Sequence, residues 1–110
     1  MKVMGLFGFG KKKDQDQWGF PVGPNTAVFT TSFVLDGKPV TYVSHDIDGD
    51  WQFFSEDKYA DFEAVAKVVG LKEMIEHDPT LASLFELPKG MAVTRARIGD
   101  QWKAHKLDAE

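Results

Sequence analysis

From Thr26 to Leu35 the chain runs TAVFTTSFVL, a stretch dense in β-branched and aromatic side chains that predicts a strand. Asp36-Gly37 follows and reads as a hairpin turn, because Gly accepts a positive φ without penalty. Pro39 to Ile47 (PVTYVSHDI) predicts a second strand, with Pro39 at its start, where a missing N–H costs least. Asp48-Gly49 reads as another turn and Asp50 to Ser55 (DWQFFS) as a third strand. Together these segments predict a three-stranded antiparallel meander.

The side-chain period of two sorts the meander into faces. With two-residue loops at both turns, Phe29, Thr31, Phe33, Val40, Tyr42, Ser44, Trp51 and Phe53 share one face. Val28, Thr30, Ser32, Val34, Thr41, Val43, His45, Ile47, Gln52 and Phe54 share the other. The first set carries most of the aromatic bulk and is expected to meet the core; the second is mixed and expected to be partly wet.

Beyond Ser55 the pattern changes. Residues 56–63 are charged and read as loop or a single helical turn, and Ala64 to Val69 (AVAKVV) fits a short strand or a helix start. Leu71, Met74 and Ile75 have helical spacing, which predicts a short helix over Leu71–His77. Asp78-Pro79 ends it, since a residue before proline avoids the α region. Asp78 then caps a second short helix with Pro79 at its first position and Leu81, Leu84 and Phe85 on its buried side. Pro88 and Gly90 turn the chain into an alternating run, Met91 to Ile98. Gly99-Asp100 predicts a hairpin from there into Gln101–His105.

The two ends read differently. Residues 1–25 are expected to form a flexible leader, basic at first and then rich in Gly and Pro; residues 26–107 a single domain; residues 108–110 a frayed tail. The main lysine run follows a short, interrupted apolar stretch, which is not the order of a secretory signal, so a cytoplasmic location is expected. The leader could make weak peripheral contact with a membrane surface through residues 1–13, with Phe and Leu in the interface and lysines on anionic headgroups. No apolar run approaches the roughly 18 residues of a membrane span.

Length and composition narrow the classes. The chain has 110 residues, which suits one domain with one core. It has no cysteine, so disulfides, thiolate metal sites and cysteine nucleophiles are excluded. The formal net charge of −4 hides an asymmetry: residues 1–13 carry four lysines and no acid, and the remainder carries nine Lys/Arg against 17 Asp/Glu. An acidic body opposes a phosphate backbone, so no nucleic-acid partner is expected. The densest acidic stretch runs from Asp46 to Glu63, where seven acids face Lys58 alone.

Motifs with chemistry are sparse. Gly5 to Lys11 matches the start of a phosphate loop, but Lys12 stands where a Ser or Thr should ligate magnesium. Asp46, Asp48 and Asp50 have the first three spacings of a calcium loop, but Trp51 and Asp57 stand where Gly and Glu belong, so a hairpin turn is the better reading. His45, His77 and His105 lie far apart in sequence, and no metal or cofactor is expected. His77 suits a helix C-terminus, and His45 suits packing on a strand. No nucleophile–base arrangement is recognisable, so no catalytic residue is assigned and a non-enzymatic protein is expected. Arg95 and Arg97 share a strand face and are expected to form internal salt bridges rather than meet a partner.

Four pieces of the sequence carry a resemblance: the first strand with Asp36-Gly37, the run Gly49 to Ser55 (GDWQFFS), the helix ending at His77 before Asp78-Pro79, and Leu87-Pro88-Lys89-Gly90 leading to Arg95. Between about Ala27 and Trp102 the chain resembles a small bacterial family of domains of unknown function. Some members of that family are described as immunity proteins of polymorphic-toxin systems. The chain differs from the family pattern at Asp48-Gly49-Asp50, where Asp-Ser-Gly is frequent. The resemblance implies no catalytic residues; it implies toxin neutralisation by binding.

The expected architecture is therefore α+β: an antiparallel sheet of about five strands with one or two short helices packed on one face. The expected function is non-catalytic binding of a basic protein partner, with Asp46, Asp48, Asp50, Trp51, Glu56 and Asp57 as contact residues. The alternative is a small-ligand-binding or stress-related domain with no protein partner. Oligomeric state is left open.

Overall fold

The computed structural model describes residues 18–107. The phosphate-loop match, the membrane-contact reading of residues 1–13 and the frayed tail lie outside them. The chain order is β1 (Ala27–Thr31), α1 (Ser32–Leu35), β2 (Tyr42–His45), β3 (Trp51–Phe54), α2 (Phe62–Val65), β4 (Ala66–Gly70), α3 (Leu71–His77), a 3-10 helix (Pro79–Leu84), β5 (Met91–Thr94) and β6 (Lys103–Lys106). The class is α+β, but the sheet has six strands in the order β4-β1-β3-β2-β5-β6. It is mixed rather than antiparallel, because β1 runs parallel to β3.

That parallel pair overturns the expected meander, and a helical turn stands where the first hairpin was expected. Thr31 caps a helical turn with its side-chain oxygen on the Val34 N–H at 3.4 Å. Asp36 N–H then donates to Ser32 O, Gly37 N–H to Val34 O and Lys38 N–H to Phe33 O. Gly37 has φ +117° and ends a helix instead of turning a hairpin. The same Asp-Gly pair serves either geometry. With α1 inserted, the chain crosses over, and β1 settles between β3 and β4.

The second turn shifts the faces. His45 pairs with Trp51 and Val43 with Phe53, so the β2–β3 loop spans residues 46–50 and not Asp48-Gly49 alone. A one-residue change of register moves a strand's side chains to the other face. Trp51 and Phe53 thus share the core face with Val28, Thr30, Val43, His45 and Val93, not with Tyr42 and Ser44. Phe29, Tyr42, Ser44, Gln52, Phe54 and Thr94 form the outer face.

The core holds Val28, Val34, Val40, Val43, Trp51 and Phe53 from the sheet side and Leu71, Met74, Leu81 and Leu84 from the helices, all buried. Helix α3 has the predicted bounds, with Leu71 and Met74 inward, and it stops where Pro79 follows. Asp78 caps the next segment through the Thr80 N–H at 3.0 Å, but that segment is a 3-10 helix. Phe85, expected on its buried side, is 38% exposed beyond its end. The final hairpin forms with a longer loop than Gly99-Asp100: Thr94 pairs with Lys103.

The leader's end belongs to the domain. Trp18 and Phe20 pack at a tilt with ring centroids 5.5 Å apart, and Phe20 meets Trp51 edge-on at 5.3 Å. Lys72 N–H donates to Pro24 O and Leu71 N–H to Thr26 O, which anchors residues 24–26 beside the start of α3.

Candidate functional site

The six residues expected to contact a partner fall into three places. Trp51 is wholly buried. It stacks on His45 with centroids 4.0 Å apart, and His45 Nδ1 donates to Leu87 O at 2.8 Å. Trp51 is therefore a core residue and anchors no partner at the surface. Its Nε1 is, among the described residues, the one fully buried side-chain nitrogen or oxygen without a hydrogen-bond partner.

Asp46, Asp48 and Asp50 sit on the β2–β3 loop. Asp46 N–H donates to Asp50 O and Gly49 N–H to Asp46 O, with Gly49 at φ +97°. These bonds make the loop a tight turn, and no cluster of His, Asp or Glu able to hold a metal ion is found among the described residues. Asp46 is half-buried and takes a hydrogen bond from Gln52 Nε2 at 3.1 Å, while Ser44 Oγ donates to Gln52 Oε1. Asp48 and Asp50 are exposed. The Lys89 chain lies over Gly49, its Nζ 3.8 Å from where a Cβ would sit, so a cation already offsets part of the tip's charge.

Glu56 and Asp57 stand at the other end of β3, on the rim of a hollow of about 560 Å³ in the outer sheet face. Its floor is Tyr42, Gln52, Phe54 and Thr94, and Tyr59 walls it. Tyr42 and Phe54 face each other across β2 and β3, their rings nearly parallel (6°) with centroids 6.2 Å apart. Phe62 on α2 meets Phe54 edge-on at 5.5 Å and Tyr59 at 5.9 Å. The helical turn that carries Phe62 is capped by Asp61, which accepts from the Glu63 N–H at 3.0 Å. Tyr59 and Phe62 remain exposed.

The rim acids differ in freedom. Asp57 accepts from Ser55 Oγ at 2.7 Å and lies 3.8 Å from Lys38 Nζ. Glu56 is exposed and forms no ion pair among the described residues. Arg95 also borders the hollow, but its side chain is turned inward. There it pairs with Asp78 at 2.9 Å, donates to Val40 O and Thr80 Oγ1, and packs 4.1 Å from the Trp102 ring. The internal salt bridge expected of Arg95 thus exists, with Asp78 rather than the acidic stretch as partner. Arg97 reaches Asp100 at 3.7 Å on an exposed surface. His77 ends α3 as expected, and its Nε2 donates to Val34 O at 2.8 Å.

Sequence reasoning found the rim of the hollow and missed its floor. The two-residue turn expected at Asp48-Gly49 puts Tyr42 and Phe54 on opposite faces, whereas the five-residue loop 46–50 puts them on one. Tyr59 carried no signal, since a lone aromatic in a charged loop has no period to place it. Compared with protein-family models, with curated proteins and with solved structures, the chain matches none. No helix among the described residues is long and apolar enough to cross a membrane.

Proposed function

We propose that this chain is a non-catalytic binding domain for a basic protein, with the hollow of the outer sheet face and its acidic rim as the contact surface. The observation that supports this reading is an aromatic hollow, with half-buried Tyr42 and Phe54 on its floor and exposed Tyr59 as its wall, that has Glu56 and Asp57 at its edge. Aromatic side chains supply contact area at low entropic cost, and rim carboxylates steer a cationic partner and fix its register. The exposed Asp48 and Asp50 extend the acidic field at the far end of β3. Neutralisation of a toxin, which the family resemblance implies, is one case of this class.

The test is capture from native-host lysate with three baits: wild type, Asp48→Asn/Asp50→Asn and Glu56→Gln/Asp57→Asn. The reading requires a basic protein that rebinds after purification, weakens as salt rises and is lost from the rim variant first. Binding that is indifferent to both variants and to salt would sink it.

A second reading is a small-ligand site in the same hollow, which is open to solvent but has a volume of the roughly 300–1,000 Å³ order of such sites. A thermal shift produced by a small molecule in the absence of any protein would favour it.

A further inference from the structure

We propose that the hollow takes an arginine side chain of the protein partner, its guanidinium against the exposed Tyr59 ring beside the Tyr42–Phe54 pair and its charge met by Glu56. The proposal rests on the binding-domain reading and names the group that the surface recognises.

Four features of the site point to a guanidinium. The first is aromatic: Tyr42 and Phe54 stack across adjacent strands, parallel within 6° with centroids 6.2 Å apart, and beside them the Tyr59 ring is exposed. A planar, weakly hydrated cation stacks on an exposed ring such as Tyr59 better than a compact, strongly hydrated ammonium does. Phe62 contributes by its geometry, because its edge-on contact with Phe54 buttresses the floor. The third feature is charge. Glu56 has no ion-pair partner among the described residues, whereas Asp57 is already engaged by Ser55 and, at 3.8 Å, by Lys38. The free carboxylate at the rim is therefore Glu56, and a carboxylate accepts a guanidinium fork in two parallel hydrogen bonds. The last feature is that Arg95, although it borders the hollow, does not oppose a second cation. Its side chain is 1% exposed and its charge is met by Asp78 at 2.9 Å.

The neighbouring acids serve less well. At the β2–β3 turn Lys89 stands over Gly49, no aromatic ring is exposed beside Asp48, and Ile47 is the apolar neighbour. Cation–π recognition needs the rings and the carboxylate together, and the hollow combines them where the turn does not.

The test titrates the isotopically labelled full chain with N-acetyl-arginine amide, and in parallel with the citrulline and lysine amides, followed by NMR. The arginine amide is expected to move the Tyr42, Phe54 and Tyr59 ring signals and the Gln52 side-chain amide in a saturable way. The citrulline amide, of the same shape but neutral, should bind at least about ten-fold more weakly, and the lysine amide about three-fold more weakly. Glu56→Gln and Tyr59→Ala, both at exposed positions, should each weaken the arginine amide by about three-fold or more with the fold intact. Equal binding of citrulline or lysine overturns the assignment, and so do shifts confined to the β2–β3 turn. A captured basic partner that depends on Glu56 and Asp57, together with no response to the arginine amide, overturns the arginine and leaves the binding-domain reading standing. A response to the arginine amide with no protein partner does the reverse.

Discussion

Arg95 Nη2 lies 2.9 Å from Asp78 Oδ2, with both side chains withdrawn from solvent. The pair joins the end of β5 to the cap of the 3-10 helix. Arg95 adds Val40 O and Thr80 Oγ1 as acceptors, while Asp78 Oδ1 accepts from the Thr80 N–H and hydroxyl. Every strong polar group in this knot is matched, which is the condition under which a buried ion pair is tolerated.

Removal of one partner leaves the other charge stranded. Asp78→Asn is expected to lower the unfolding free energy by about 3–5 kcal/mol, measured by urea denaturation. Replacing both members, with Asp78→Leu and Arg95→Met, should recover part of that loss. A single-variant cost under ~1 kcal/mol would show the pair to be solvated rather than buried.

Trp51 offers a contrast. Its indole fills the core while its Nε1 is unmatched. Trp51→Phe removes the orphan donor along with some volume, so the two effects oppose each other, and the expected cost is about 1 kcal/mol or less. Trp51→Ala should cost about 3–5 kcal/mol, because it empties a fully buried site between His45 and Phe20. Thermal and urea unfolding of both variants check the difference.

Gly37 and Gly49 have φ of +117° and +97°. A Cβ at Gly49 would meet Lys89 Cε at an ordinary 3.6 Å, and at Gly37 it would meet nothing. The cost of Gly→Ala at each is thus purely conformational, about 1–2 kcal/mol. Similar losses at both sites are expected; a much larger loss at Gly49 would mean that the turn also sets register.

The two acidic ends of β3 should separate in function. Asp48→Asn/Asp50→Asn and Glu56→Gln are exposed changes and should alter stability by no more than about 0.5 kcal/mol. The turn variant is expected to slow association by weakening steering, and the rim variant to speed dissociation. Surface plasmon resonance with a purified partner at two salt concentrations reads both, and an effect of the turn variant on dissociation alone would reverse their roles.

The chain's local chemistry determined much of this protein without reference to distant residues. Helix α3 could be read to its exact ends because Leu71, Met74 and Ile75 set its face and Asp78-Pro79 stops it. Strand content, the Asp78 cap and the acidic rim were legible for the same reason: propensity, capping and charge act within a few residues. What tertiary structure decided were the pairings. Asp36-Gly37 suits a hairpin and a helix end equally, and only the crossover that brings β1 beside β3 and β4 distinguishes them. The length of the β2–β3 loop decided whether Trp51 shared its face with His45 or with Tyr42 and whether Tyr42 met Phe54. Arg95 found Asp78 seventeen positions away. Strand partners and buried ion pairs are selected by the fit of the whole core, and a period of two gives the alternation of a strand without saying which side is in.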